Sequence, residues 1–527
     1  MSDSKDAHIQ FWRIVIILSS IAIVIEYAET MLFPAIPDII NDFKSSYSSS
    51  SWILSGYLIT AAVMAPLAGK LSDVYAKKKV LSIIMTIFAA SIAIASFSTS
   101  MAFLITVRIV QGVGLSMFII ALSIMQSNVP KRKYALANGI LASTYFSGSS
   151  IGLVLGGSII HYFGWRTLFL SLIPVVILLL VIVSRFLHVK QDEFQEIDND
   201  TLLVKDKNRN EKNAERKNND EDSKVDNYFA HVSNIKNTFF KSVDIMGAGL
   251  LAITISLFLT ALTYMEDNDV NEYTNGLLLI VALLGSAIVS LILFIMVEKK
   301  TSSPLVNLKL ITNKIIFSIV IMFLILGFTM FMVYQTVPIL TRAPIPLGFG
   351  GSAITSSLVL LPFTLVFLIL SPTVGIIVGK FGNIRLLMAG SIVSATGYFS
   401  ILLFHYTELQ VAISLAIVST GLALLNTIGM NIVMLSTPRQ FGGTIIGMVQ
   451  VLMFSGMSIG PVVGAMYMQT YQENVAGFST SFPSSEAYDL IFLTASIASI
   501  SFMILAIILK KEIPSSIAGR IHNDVQD

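Results

Sequence analysis

Long runs of apolar residues, separated by short polar connectors, recur along the whole sequence. A helix needs roughly 20 mostly apolar residues to cross a hydrocarbon layer about 30 Å thick, because lipid cannot satisfy unpaired backbone N–H and C=O groups. About fourteen runs meet that length. They predict spans at 14–34, 52–69, 80–99, 102–124, 136–160, 166–186, 244–264, 275–297, 314–337, 352–378, 384–404, 409–435, 443–467 and 488–510. The runs are apolar on every side, whereas strands of a membrane barrel alternate apolar and polar positions. The expected fold class is therefore an all-α polytopic membrane protein.

Composition agrees: 54% of the 527 residues are hydrophobic and 13% are charged, and the mean hydropathy is +0.78, which excludes an ordinary soluble domain. The first run carries Glu26 and Glu29 and is followed by no small-residue cleavage site, so it is expected to stay in place rather than serve as a signal peptide. The absence of cysteine excludes disulfide and thiol chemistry. A net charge of +2 says little about partners; its distribution says more. With the N-terminus in the cytoplasm, about nineteen Lys and Arg of short loops and tails fall inside, against about three outside (Lys44, Arg166, Arg342). Inside lie Lys77–Lys79, Lys131–Lys133, Lys299–Lys300 and Lys510–Lys511, while one opposite loop carries Glu266, Asp267, Asp269 and Glu272. A multi-pass plasma-membrane protein with both termini cytoplasmic is expected.

Residues 187–242 are rich in Lys, Asp, Glu and Asn with few aromatics, which reads as a flexible cytoplasmic linker. Across it a faint duplication appears. Gly148-Ser-Ser-Ile-Gly152-Leu-Val-Leu-Gly156-Gly157 is echoed by Gly456-Met-Ser-Ile-Gly460-Pro461-Val-Val-Gly464-Ala465, and Gly69 to Leu81 by Gly375 to Leu387. Both offsets are about 307 residues, as in a chain of two six-helix halves with two inserted helices. The expected organisation is an N-terminal half (1–186), the linker (187–242), the inserted pair (243–298), a C-terminal half (299–512) and a tail (513–527).

The loop after the second run reads Gly69-Lys-Leu-Ser-Asp73-Val-Tyr-Ala76-Lys77-Lys78-Lys79. It resembles the G-x-L-a-D-r-x-G-r-k signature of the major facilitator superfamily, with Val74 for a basic residue and Ala76 for Gly. That resemblance implies the major facilitator fold, here with 14 transmembrane helices as 6 + 2 + 6. It also implies a cytoplasmic gating motif of Gly69, Asp73, Lys77 and Lys78, in which glycine admits a close helix approach and Asp73 works through ion pairs. In the fourth run, Leu104-Ile-Thr-Val-Arg108-Ile-Val-Gln111-Gly112-Val-Gly114 is similar to the L-x-x-x-R-x-x-q-G-x-g pattern of proton-coupled members. An Arg roughly 9 Å inside the bilayer needs a cavity or a counter-charge.

The membrane-embedded acids are concentrated in the first run. Glu26 and Glu29 lie three residues apart, on one helical face, about 7–12 Å from its outer end and so at the depth of Arg108. No Asp or Glu occurs from 315 to 407. Burial and a neighbouring cation act oppositely on a carboxyl, so either Glu can change protonation as its surroundings change. Such a pair offers both proton coupling and a counter-charge for a cationic substrate. The segment Glu29-Thr30-Met-Leu-Phe-Pro34-Ala35-Ile-Pro37 resembles the first-helix signature of the fourteen-span drug:proton antiporters. Aligned on Thr30 and Pro37, the usual acidic position holds Ala28, and the acid stands one residue on, about 100° around the helix. In the fifth run Gly148, Gly152, Gly156 and Gly157 resemble the antiporter motif G-x-x-x-G-P-x-x-G-G, with Leu153 in place of the proline.

Polar or aromatic residues that interrupt apolar runs are candidate cavity-lining positions: Gln111, Gln126, Asn138, Tyr145, Tyr334, Gln335, Asn426, Asn431 and Gln450. Each serves equally well as an interhelical hydrogen bond worth about 1 kcal/mol. No phosphate-cradling loop, metal-ligand pattern or nucleophile constellation is present. An enzyme, a cofactor, a metal and a nucleic-acid partner are therefore not expected. The resemblance implies a monomeric secondary transporter that exports lipophilic, cationic compounds for protons. Leu153 leaves a narrower carrier of a sugar or organic acid open at this point, import included, and a non-transporting receptor is the remoter alternative.

Overall fold

The computed structural model describes residues 2–129, 131–187, 189, 244–264, 273–301, 304, 312–436, 442–478 and 480–512. Nearly all of them are helical. The N-terminal bundle comprises α1 (Ser2–Thr30), a 3₁₀ turn (Phe33–Ala35), α2 (Ile36–Phe43), α3 (Tyr47–Val74), α4 (Lys77–Ala95) and α5 (Met101–Gln111). A second 3₁₀ turn (Gly112–Leu115), α6 (Ser116–Asn128), α7 (Lys131–Phe163) and α8 (Arg166–Phe186) complete it. A hairpin of α9 (Ile245–Tyr264) and α10 (Tyr273–Lys300) follows. The C-terminal bundle is α11 (Lys314–Arg342), α12 (Ala353–Phe381), α13 (Asn383–Leu403), α14 (Glu408–Ser436), α15 (Gly442–Thr470) and α16 (Ser485–Glu512). Between α15 and α16 a small antiparallel ribbon pairs β1 (Gln472–Asn474) with β2 (Ser481–Pro483), a feature the run-by-run reading missed because three-residue strands leave no hydropathy signal.

Among the described residues thirteen helices are long and apolar enough to cross a membrane. The expected span 136–160 falls within α7, where side chains at 131–136 and several positions to 146 lie outside the described set. The linker 187–242, apart from Leu187 and Val189, the acidic loop 265–272 and the tail 513–527 also lie outside it.

Local chemistry sets the helix ends. Ser46, Ser100 and Asn313 accept hydrogen bonds from the backbone N–H groups of Ser49, Phe103 and Ile315, and Asp244 Oδ1 accepts from Gly247 N at 2.7 Å. Ser352 and Thr355 form a reciprocal capping box at the start of α12. Gly382 turns the chain between α12 and α13 at φ 79°, where a side chain would be strained. The first membrane segment breaks after Thr30. Pro34 and Pro37 each stand at the start of a new helical piece, the place where a missing N–H is harmless.

The two bundles meet along α3 against α15 and α7 against α12. The α9–α10 hairpin lies on one flank, with α9 touching both α3 and α15 and Trp52 Nε1 donating to Thr263 Oγ1 at 3.2 Å. In α10 only 17% of the spanning window is buried, against 61% in α11, so α10 forms an outer edge. Large apolar side chains such as Ile177, Leu178, Leu278 and Ile288 face outward, an arrangement stable in lipid but not in water.

Close packing within each bundle repeats. A Cβ added to Gly148, Gly152 or Gly156 of α7 would lie 2.4, 2.9 and 3.0 Å from the carbonyl oxygens of Ile23, Tyr27 and Met31. One added to Gly456 or Gly460 of α15 would lie 2.0 and 2.4 Å from those of Leu324 and Phe328. Glycine columns on α7 and α15 thus seat the backbones of α1 and α11 in the same way.

Candidate functional site

Glu26 and Glu29 sit on the buried face of α1, 7% and 2% exposed. Across from them α5 carries Arg108, wholly buried despite its size and charge. Its Nε donates to the Ile53 carbonyl at 3.3 Å and its Nη1 to Gln111 Oε1 at 3.0 Å. The guanidinium carbon lies 4.0 Å from the centroid of the Tyr57 ring. Glu29 is within electrostatic reach of Arg108, yet no ion pair shorter than 4 Å joins them. Four buried polar atoms around this point make no hydrogen bond to protein: Glu29 Oε2, Tyr57 OH, Arg108 Nη2 and Gln111 Nε2. Leaving such atoms unpaired costs about 1–3 kcal/mol each, so their collection beside a buried charge makes this the candidate site.

The glycines after Arg108 explain how a charge can be held there. A Cβ at Gly112 would lie 2.2 Å from the Tyr57 carbonyl, and one at Gly114 would lie 2.2 Å from the Phe88 ring. Both keep the α5–α6 segment hard against α3 and α4, which brings Arg108 to Ile53 and Tyr57. On the other side Thr30 Oγ1 donates to Glu26 O at 2.8 Å or Ser149 O at 3.1 Å, fixing α1 to α7 beside the glutamates.

The remaining predicted residues fall in several places. Tyr334 is buried and packs edge-on against Phe33 and Phe363, within electrostatic reach of Glu26 and Glu29. Gln335 is 1% exposed with neither amide atom hydrogen-bonded. Gln111 is fully buried and orients Arg108. Asn431 Nδ2 donates to Asn383 Oδ1 at 2.8 Å, an interhelical bond, while Asn426 and Gln450 are half-buried. The side chains of Asp73, Gln126, Asn138 and Tyr145 lie outside the described residues.

In the gating motif, Lys77 Nζ donates to Ser127 Oγ and Lys78 Nζ to the Ser184 carbonyl at 2.8 Å, both within the N-terminal bundle. At Gly69 several neighbouring side chains, Asp73 among them, lie outside the described residues. Among the described residues a Cβ there would meet only Ile119 Cγ2, at 3.7 Å. Gly157, by contrast, faces the other bundle, where a Cβ would lie 2.0 Å from Ser357 Oγ and 2.8 Å from the Ala353 carbonyl. Leu153 is buried and α7 runs unbroken past it.

Sequence reasoning counted Arg166 and Arg342 as outer cations but missed their acidic partners, at the end of the molecule opposite the lysine clusters. Asp42 accepts from Arg166 Nη1 at 2.6 Å and Trp165 Nε1 at 3.2 Å, tying α2 to α8. Asp38 takes both prongs of Arg342 from α11. Their i, i+4 spacing on α2 was the available signal; the partners, one in each bundle, were not.

Comparison with known proteins places this geometry. A sequence model of the Major Facilitator Superfamily matches residues 18–461. The multidrug efflux pump LfrA of Mycolicibacterium smegmatis is 24% identical over 476 residues, covering 88% of this chain and 82% of its own. An uncharacterized MFS-type transporter of Mycobacterium tuberculosis, Rv1877, is 24% identical over 374 residues, 70% of this chain, and the match spans 46% of that longer protein. Among solved structures, the xylose transporter XylE of E. coli in an inward open conformation superposes with a TM-score of 0.58 at 12% identity, covering 96% of both chains; at that identity the likeness is one of fold.

Proposed function

This chain belongs to the major facilitator superfamily, and on that premise we propose that it exports lipophilic, cationic compounds in exchange for protons by alternating access. The carrying observation is the buried cluster of Glu26, Glu29 and Arg108, in which charge is held at membrane depth with Glu29 Oε2 and Arg108 Nη2 left unpaired. A carboxyl in such a place can hold a proton or face a cation, but not both at once, so loading one ligand favours release of the other. Arg108, tethered to Ile53 and Gln111, supplies a fixed positive charge that favours the unprotonated carboxyl when the proton leaves. The first-helix and glycine motifs resemble those of the fourteen-span drug:proton antiporters, and the name of LfrA points the same way.

In this reading residues 1–186 and 299–512 are the halves that rock against each other. The hairpin 243–298 rides on the flank, and 187–242 joins the halves in the cytoplasm. The lysine clusters face the cytoplasm, so the end closed by Asp38 and Arg342 faces outward. The test is dye efflux in inverted vesicles with an imposed pH gradient, comparing the parent with Glu29→Gln and Glu26→Gln. At least one substitution abolishes gradient-driven transport; transport that survives both removes the mechanism.

A further inference from the structure

We propose that Arg342 is a gate residue whose grip on Asp38 and on the break in the first membrane segment latches the outer face shut. The inference rests on the alternating-access reading above. Arg342 is the last residue of α11 and Asp38 lies in the first turn of α2. Its Nη2 donates to Asp38 Oδ1 at 2.6 Å, and its Nη1 to the other carboxylate oxygen. The same Nη1 lies 3.5 Å from the Pro34 carbonyl. One guanidinium therefore clamps the carboxylate that follows the break and a carbonyl inside it.

The side chains of this pair are only 21% and 29% exposed, and two-pronged Arg–carboxylate contacts shielded in this way exceed ordinary surface pairs in strength and geometric selectivity. The pair joins the two bundles. Arg166–Asp42, Lys314–Glu512 and His405–Asp489 each stay within one. About two to three turns further into α11, Phe33 from the N-terminal bundle meets Tyr334 and Phe331 edge-on, at 4.7 and 5.6 Å between ring centres, so an aromatic plug joins the same two elements as the ionic clamp. The plug, being apolar, favours closure without direction; the clamp fixes where α2 must sit for the rings to meet.

Opening at this end must draw α11 away from α2, and the clamp has to break for that to happen. Since Glu26 and Glu29 are on α1 and Asp38 is on α2, the Pro34 break lets α2 move with the gate while the glutamates stay seated on α7. Asp38 and Arg342 act as positioning residues for the transport step and touch neither proton nor substrate.

The chain has no cysteine, which allows a direct test. Ser150, buried between the bundles with its Oγ donating to Thr364 Oγ1 at 2.9 Å, is replaced by Cys and labelled from outside in whole cells with a membrane-impermeant maleimide. Arg342→Gln and Asp38→Asn, each in that background, raise the labelling rate about tenfold, the change produced by losing about 1.4 kcal/mol of closure energy. The double neutral variant matches either single one, and the exchanged pair Asp38→Arg with Arg342→Asp falls back toward the parent. Arg166→Gln, which breaks a comparable pair inside one bundle, leaves labelling unchanged. If the neutral variants fail to insert, Arg342→Lys gives a smaller rise, because an ammonium keeps the charge but not the fork. Labelling unchanged in every correctly inserted Arg342 and Asp38 variant, or raised equally by Arg166→Gln, overturns the latch. The readout requires no substrate or pH gradient, so a rise in labelling in the variants alongside absent efflux by the parent keeps the latch and removes the export reading.

Discussion

Replacing Gly152 with alanine isolates the contact that holds the glutamate-bearing face of α1 in place. The new Cβ would stand 2.2 Å from Thr30 Oγ1, 2.9 Å from the Tyr27 carbonyl oxygen and 3.1 Å from Tyr27 Cα. Ordinary contact begins at about 3.4 Å, so the α1 backbone must retreat by about 0.5 Å, an overpacking of the kind that costs about 1–3 kcal/mol. Thr30 must also turn away, giving up its bond to Glu26 O or Ser149 O. A buried hydroxyl left without partners adds about 1–3 kcal/mol. The sum is about 2–6 kcal/mol of destabilisation, from which the better helix propensity of alanine removes about 1 kcal/mol.

The corresponding column on α15 contains its own control. At Gly464 an added Cβ would meet nothing nearer than Met332 Cγ at 3.4 Å, so Gly464→Ala gains the propensity without the clash and is neutral or stabilising. The assay is the thermal unfolding midpoint of each variant in one detergent, followed by tryptophan fluorescence. Gly152→Ala unfolds well below the parent, Gly464→Ala at or above it, and Thr30→Ala partly rescues Gly152→Ala by removing the atom nearest the clash. Equal midpoints for the two alanine variants, or additivity of Gly152→Ala with Thr30→Ala to within about 0.5 kcal/mol, would refute the packing argument.

Two further outcomes follow from the charge cluster. Arg108→Gln removes the fixed cation and lowers proton-driven efflux by at least about tenfold, and Arg108→Lys does not restore it, since one ammonium cannot bond Ile53 O and Gln111 Oε1 in the same fork-like geometry; wild-type efflux by the Lys variant would contradict this. The scarcity of acids at membrane depth, with none between 315 and 407, predicts that a divalent cation is exported far less well than its monovalent analogue, and equal vesicle efflux rates for such a matched pair would exclude that inference.

The spans were legible because their cause is local. A run of about 20 apolar residues must close its hydrogen bonds internally wherever it lies in the chain, so the expected spans fall on helical segments, although 102–124 is divided between α5, a 3₁₀ turn and α6, and 14–34 runs past the break after Thr30. Caps at Ser46, Ser100 and Asn313 are local too. Glu26, Glu29 and Arg108 were legible for a related reason: a charge inside an apolar run is costly, whatever surrounds it.

What the sequence could not supply was pairing across the chain. Arg342 counted there only as one of a few cations on the outer side, and Asp38 was not singled out, because the two are 304 positions apart and neither creates a penalty that reading one segment would reveal. The same holds for Tyr57, which looks like an ordinary aromatic in α3 until the close approach at Gly112 sets it under the Arg108 guanidinium. Residues costly in isolation announce a site, whereas residues cheap in isolation decide how it moves. The glutamates and Arg108 must be tolerated in every conformation, and so they carry a signal in composition alone. The Asp38–Arg342 clamp exists in only one of the conformations the proposed cycle requires, and a contact meant to break is built from residues that are comfortable in water without it. A gate of this kind is therefore hidden from a reading that searches for expense, and becomes visible only when the two bundles are placed together.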